Sequence, residues 1–263
     1  MDPVASVKLY VFLRPRFIII AAGICVSYPL YGLALAQTIF YYRTFTNDVI
    51  CFKIVVAMLL ILNTVHFIAL VQQQHIAFFQ VEFASIRPLT PGVGASLFSM
   101  YLAISIVQWS YARRIWTLSD GNKILAGILV FLPTVQLASG MSVATIQTIF
   151  TSRNEFGAHT ESCTIMCTAE AWSSIVCDLL ISTSVAYYLA KRRKGFRRRE
   201  NLLPRIAFYV ISTGLVTSIA AFMVAALWQF FPTTTAFLSL QTVITRLYVN
   251  SLLASLNARV DFA

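Results

Sequence analysis

This sequence predicts an all-α fold, a polytopic membrane bundle of seven transmembrane helices with the N-terminus outside and the C-terminus inside. Three observations lead there. Hydrophobic residues make up 58% of the 263 positions and charged residues only 11%, where a soluble domain of this length carries about 25% charge. Seven apolar runs reach or approach the roughly 20 residues that cross ~30 Å of hydrocarbon at ~1.5 Å per residue. Between two of them lies a dense cationic run, Lys191, Arg192, Arg193, Lys194, Arg197, Arg198 and Arg199, with Arg205 just beyond and Glu200 the single acid. Short loops rich in Lys and Arg stay in the cytoplasm. Read as a soluble charge cluster or a nucleic-acid patch, the same run would need a soluble surface to sit on. The apolar flanks leave none, so nucleic acid is not an expected partner.

The elements follow in chain order. Met1 to Arg16 read as a short polar lead. The first span covers about 17–42, too long for the core of a signal peptide; Pro29 predicts a kink in it, and Tyr41 and Tyr42 sit at its end as interfacial anchors. A short loop with Arg43 and Asp48 leads to the second span, about 50–71. Residues 72–89 carry Ile76, Phe78, Val81 and Phe83 but form no span before Arg87 and Pro88, and are expected to be an interfacial loop. The third span is about 90–112 and the fourth 122–150, bent at Pro133, with Arg113, Arg114, Asp120 and Lys123 in the turn between. A polar loop, 151–168, holds Arg153, Glu155, His159, Glu161, Cys163 and Cys167. The fifth span is about 169–190, the sixth 204–231 and the seventh 235–256, so that residues 1–263 read as one domain.

With the basic run inside, an odd number of spans places the N-terminus outside. Arg43, Lys53, Arg113, Arg114, Lys123 and Arg259 then lie on the cytoplasmic side, and Lys8, Arg14, Arg16, Arg87 and Arg153 on the outer side. The first span by itself favours the opposite orientation, having three positive residues before it. The later and denser run outweighs it.

Three stretches resemble a known family. They are Gln108-Trp-Ser-Tyr-Ala-Arg-Arg-Ile-Trp-Thr-Leu-Ser119; Asp178 followed by Arg193, Gly195-Phe196 and the Tyr209 to Gly214 region; and Leu247-Tyr248-Val249-Asn250-Ser251 with Leu256-Asn257-Ala258-Arg259. Together they resemble the basidiomycete fungal seven-transmembrane proteins whose C-terminal half is a domain of unknown function, here about 169–259. The basic loop is denser than is usual in that family, which has a threonine after Gly-Phe. The resemblance implies the seven-helix topology and supplies no activity.

Two charges fall within spans. Asp178 and Arg246 each lie near the bilayer midplane by residue count, where an unpaired charge is costly and faces a partner or a water-filled cavity. An Asp178–Arg246 pair between the fifth and seventh helices would remove both costs, either as a structural staple or as a site where a ligand exchanges with one partner; a protonated Asp178 bonded to a neighbouring hydroxyl is the alternative. His66, Asn63, Asn250, Gln108 and Gln241, with Gln37, Gln136 and Gln147, read as hydrogen-bonding groups between helices. Glu170 favours the N-terminus of the fifth helix.

Five cysteines form no CxxC pair and no zinc-spaced cluster, so no metal site is expected. Cys163 and Cys167 fall on the outer side, where a disulfide persists, but their spacing is awkward for one within a helix. No HExxH, GxSxG, Walker A or Rossmann glycine pattern occurs. Three histidines are too few for the histidine boxes of a membrane di-iron oxygenase, and the seventh span has no lysine for a retinal Schiff base. Neither enzyme activity nor a cofactor is expected.

Three readings remain. One is a receptor-like protein that binds a small or lipidic ligand in the bundle and engages a cytoplasmic partner through Arg113, Arg114 and the basic loop. The second is a transporter or channel whose path is lined by Asp178, Arg246 and Glu170. The third is a non-signalling scaffold that gathers anionic inner-leaflet lipids at 191–205, each Lys or Arg contributing roughly 1 kcal/mol. The plasma membrane is the favoured location.

Overall fold

A computed structural model of the chain describes residues 3–80, 92–152, 161–193, 202–230 and 236–259. Among them are seven α-helices and no strand: α1 (Pro3–Thr44), α2 (Ile50–Gln80), α3 (Gly92–Leu118), α4 (Lys123–Ser152), α5 (Glu161–Arg193), α6 (Leu202–Phe230) and α7 (Ala236–Asn257). Five described segments are long and apolar enough to cross a membrane: Ala21–Thr44, Ile50–His75, Gly92–Leu118, Lys123–Ile149 and Thr164–Tyr188. Val216–Phe230 of α6 is a shorter apolar helix. The protein is therefore an all-helical, multi-pass membrane protein by length and composition.

The helices outrun the apolar stretches that mark them. α2 continues to Gln80, so 72–80 is helix where the sequence predicts an interfacial loop; the rest of that loop lies outside the described residues. α1 begins at Pro3, inside the expected polar lead, and α5 begins at Glu161 and ends at Arg193, taking in part of the expected polar loop and the start of the basic run. Hydropathy marks the stretch that hydrocarbon can accept. It does not mark where a helix stops, because a nucleated helix extends readily through residues such as Gln, Lys, Arg and Glu. Helix α1 passes Pro29 and α4 passes Pro133 without interruption.

Each helix packs on its neighbours in chain order and α7 closes the ring against α1, while α3 reaches across to α5 and α7. Of the adjacent pairs, α1 and α2 pack least closely. The close approach of α3 and α4 depends on glycine: a Cβ on Gly140 would stand 2.5 Å from the Tyr101 ring, and one on Gly94 2.6 Å from Thr148 Oγ1. At the α3–α4 turn Asp120 and Gly121 take positive φ (55° and 83°), the Gly121 amide donates to Trp116 O at 3.1 Å, and Asn122 Oδ1 caps α4 by accepting from the Leu125 amide at 3.1 Å.

The polarity of the bundle is that of a protein dissolved in lipid. Ile54, Ile61, Ile68, Phe131, Trp172, Ile219 and Phe222 are exposed, whereas Asn63, His66, Gln108, Gln136, Asp178 and Arg246 are buried. Buried hydroxyls such as Ser27, Thr38 and Ser105 donate to the carbonyl four residues back, at 2.9, 2.8 and 2.9 Å, and so cost little where no water is available. Helix α7 is enclosed and yet carries polar residues, Thr245, Arg246, Asn250, Ser251 and Ser255, for a physical reason. From Ile244 to Leu256 nearly every residue is buried, and a helix walled in by other helices has no lipid to satisfy.

Candidate functional site

The candidate site is built around α7. Successive residues of an α-helix turn by about 100°, so side chains two apart point to nearly opposite sides. Arg246 and Tyr248 are such a pair, and each anchors a polar cluster of its own.

On the Tyr248 side, Asp178 of α5 is 2% exposed. Its Oδ2 accepts from the Tyr248 hydroxyl, in a short bond, and from Thr217 Oγ1 of α6 at 2.7 Å; its Oδ1 accepts from Gln108 Nε2 of α3 at 3.2 Å. Ser174 Oγ lies 3.4 Å from the Tyr248 hydroxyl. One turn along, the Tyr111 hydroxyl and Ser251 Oγ are 2.6 Å apart. Helices α3, α5, α6 and α7 thus meet on one carboxyl group whose two oxygens are both used.

On the other side, Arg246 is fully buried and donates through Nη1 to the Asn63 carbonyl of α2 at 2.9 Å. Its guanidinium lies over the Tyr31 ring of α1, 5.5 Å from the centroid. Tyr31 stacks on Phe67 at 4.4 Å and 11°, with its hydroxyl 3.0 Å from Thr64 Oγ1. His66, one turn beyond Asn63 on the same inward stripe of α2, is 1% exposed and within reach of the Arg246 charge. Asn250 Nδ2 donates to Leu30 O and to Arg246 O, both at 2.9 Å. Here hydrogen bonding is incomplete: Arg246 Nε and Nη2, both side-chain polar atoms of Asn63, both ring nitrogens of His66 and Asn250 Oδ1 have no partner.

The Asp178–Arg246 pair that the sequence predicts is therefore not formed. The two side chains have different partners on opposite sides of α7. Counting residues from the membrane edge fixes depth along a helix and says nothing of rotation about its axis. The alternative of a hydroxyl neighbour for Asp178 is what the structure holds, in Tyr248 and Thr217. Of the other interior residues, Asn63, His66 and Asn250 gather at Arg246 and Gln108 at Asp178, while Gln241 sits further along α7 and donates to the Tyr101 hydroxyl at 3.2 Å.

A third cluster closes the Lys/Arg-rich end. Arg259 Nη2 meets Asp48 Oδ2 at 2.6 Å, and the Tyr41 hydroxyl donates to the same oxygen at 2.6 Å. The Arg259 guanidinium lies 4.8 Å from the Phe45 ring centre and 5.2 Å from that of Phe52. Arg114 Nη1 donates to Ser255 Oγ at 2.8 Å, and Arg113 Nη1 lies 3.0 Å from Cys51 Sγ. Burial by itself would raise the Asp48 carboxyl; the Arg259 guanidinium, the Tyr41 hydroxyl and the Val49 amide outweigh it and hold the group below its ordinary value.

Lys191 is exposed at the end of α5, and α5 includes Arg192 and Arg193. Lys194, Arg197, Arg198 and Arg199 lie outside the described residues, as does the Cys163 side chain, so the basic loop and a Cys163–Cys167 bond are not placed. Sequence reasoning missed Tyr248, Thr217 and Tyr31 as partners, and the Asp48–Arg259 bond. The signal for Tyr248 was present in the Leu247 to Ser251 stretch, where it stands two residues from Arg246 on a helix already marked as polar.

The model of a family of unknown function (DUF6534) matches residues 174–261. No curated protein and no solved structure matches the chain. The matched stretch contains Asp178, Thr217, Arg246, Tyr248, Asn250 and Arg259, and so a member of every cluster above.

Proposed function

We propose that this chain is a receptor-like protein of seven spans, N-terminus outside and C-terminus inside, that takes a small or lipidic ligand beside α7 and transmits a shift of α7 to its cytoplasmic end. One observation carries the reading: the incompletely bonded Arg246 cluster and the Arg259–Asp48 clasp sit on the same helix and its C-terminal turn. They are 13 residues apart, or about 20 Å at ~1.5 Å per residue. A ligand that binds Arg246 differently in two positions of α7 biases that helix by the difference in its affinity for them. Ser255 and Arg259 then carry the shift to Arg114 of α3 and Asp48 of the α1–α2 turn. The basic run at 191–205 adds attraction to anionic inner-leaflet lipids and, with Arg113, a surface for a cytoplasmic partner. The reading includes no catalytic step and places the protein in the plasma membrane.

A transporter or channel is the rival. It requires Asp178, Arg246 and Glu170 along one path, and Asp178 and Arg246 stand back to back across α7, which favours the receptor. The test is reconstitution of the full chain in liposomes. No Asp178-dependent or Arg246-dependent flux of protons or ions is expected under an imposed membrane potential; such a flux would replace the receptor by the carrier. In intact cells, a tag after Ala263 should be shielded and one before Asp2 accessible, and the reverse result would overturn the orientation.

A further inference from the structure

We infer that the Arg246 cluster is a binding site for a carboxylate group, held in the bundle between α1, α2 and α7. The inference rests on the reading above that the bundle accepts a ligand, and it names the ligand's chemistry. Arg246 uses Nη1 on the Asn63 carbonyl and leaves Nε and Nη2 without partners. Those two nitrogens carry the parallel N–H bonds of the guanidinium's side edge, the edge that grips both oxygens of one carboxylate.

Among the described residues no acidic side chain fills that edge. Among the described residues α1, α2 and α7 contain no Asp or Glu, Asp178 faces away across α7, and Asp48 is held by Arg259 at the end of the bundle. A cation buried in this way is costly until an anion joins it. Beside it Asn63 Nδ2 and an N–H of His66 are further donors without acceptors, both on residues 1% exposed, while Asn63 Oδ1 and Asn250 Oδ1 are acceptors without donors. Tyr31 and Phe67 wall the cluster with stacked rings.

The seam between α1 and α2, the least closely packed of the adjacent pairs, is the side on which the cluster lies. The exposed apolar side chains of the same two helices, Val26 and Leu33 on α1 and Ile61, Val65 and Ile68 on α2, stand two residues from Tyr28, Tyr31, Asn63 or His66 and so point away from the cluster. A bilayer acyl chain and a small water-soluble acid offer the same head group, and the experiment separates the two sources.

The experiment uses the full chain in nanodiscs of zwitterionic phospholipid, probed with a radiolabelled sixteen-carbon monocarboxylate, its methyl ester, and acetate. Saturable binding of the long-chain acid is expected, at least about tenfold weaker for the ester and for Arg246→Lys, which keeps the charge and loses the fork. Thermal melting of Arg246→Lys checks that it is folded. Should that variant not fold, a photoreactive long-chain carboxylate on the wild-type protein is expected to label 63–67 or 246–250. Binding of the long-chain acid alone, or of acetate equally, upholds the site and assigns the source to the bilayer or to water respectively. Absence of saturable carboxylate binding, equal binding of the ester, full binding by folded Arg246→Lys, or labelling confined to other helices overturns it. A neutral lipidic ligand that stabilises the protein while carboxylates do not would remove this inference and leave the receptor reading standing. Flux in liposomes would remove the receptor reading and leave the carboxylate measurement intact.

Discussion

The two faces of α7 are built from similar residues and finished differently. Toward α3, α5 and α6, Asp178 has its two oxygens shared among Tyr248, Thr217 and Gln108, and the only unused atom of the set is Gln108 Oε1. Toward α1 and α2, Arg246 makes one hydrogen bond, and Asn63 and His66 make none with their side chains. In hydrocarbon an unsatisfied polar group costs several kcal/mol, so the first face holds the helices together and the second tolerates a cost. The proposed carboxylate site rests on that contrast between a nearly complete face and an incomplete one. Hydrogen bonding distinguishes the two faces where burial does not, since Asp178 and Arg246 are almost equally buried.

The largest effect expected from breaking this contrast is at the bonded face. Asp178→Ala removes the acceptor of three donors, and at about 1–3 kcal/mol for each buried donor left over, partly relieved by Ser174, a loss of about 3–5 kcal/mol is expected. Thermal or denaturant unfolding in detergent would show it; a loss below about 1 kcal/mol would mean that the carboxyl is not the meeting point of these helices. Tyr248→Phe keeps two of the three donors and should cost about 1.5–3 kcal/mol, the range for a hydrogen bond to a charged group.

Much of this architecture was legible in the sequence because the membrane simplifies it. Run length marks the helices and their order, and the charges within apolar runs, Asp178 and Arg246, mark α5 and α7 as helices that carry buried polar groups. What could not be read was rotation. Soluble helices announce their inner face by an apolar stripe. Around Arg246, α7 has buried polar and apolar residues on every side, as Thr245, Tyr248, Val249 and Asn250 show, so its sequence contains no phase. The Asp178–Arg246 pair failed for that reason. The reach of α2 to Gln80 and the start of α5 at Glu161 were hidden for another: a polar residue outside the hydrocarbon can be as helical as an apolar one inside it.

The Lys/Arg-rich end offers an intermediate case. Asp48 is 12% exposed and Arg259 30%, so their bond is partly screened and Arg259→Gln is expected to cost about 1 kcal/mol. The sign of its pH dependence follows from the lowered Asp48 value. A carboxyl held below its unfolded value of about 3.9 contributes fully above that pH and loses its contribution as pH falls through the lower folded value. The gap in melting temperature between wild type and Arg259→Gln should stay constant from about pH 8 to pH 5 and shrink below about pH 4. A gap that widens in acid would show that another group sets it.

The smallest expected effect is the most discriminating. Arg246→Met replaces a buried cation without a counter-ion by an apolar side chain of similar length, losing one hydrogen bond to the Asn63 carbonyl. Buried charges replaced by apolar residues of similar volume are often neutral or gain about 1–4 kcal/mol, so the ligand-free protein should be as stable as wild type or slightly more so. Combining it with Asp178→Asn then reads the distance between the two faces. A direct ion pair would give a coupling of about 0.5–3 kcal/mol, because the second substitution would relieve the charge stranded by the first; groups without shared partners add within about 0.5 kcal/mol. Tyr248 bonds Asp178 while Arg246 faces Asn63 and Tyr31, so additivity is expected. The measurement is the double-mutant cycle by thermal or chemical unfolding in one detergent. A coupling above about 1 kcal/mol would mean that α7 turns to bring Arg246 toward Asp178 in some populated state, and the separation of the two faces would have to be given up.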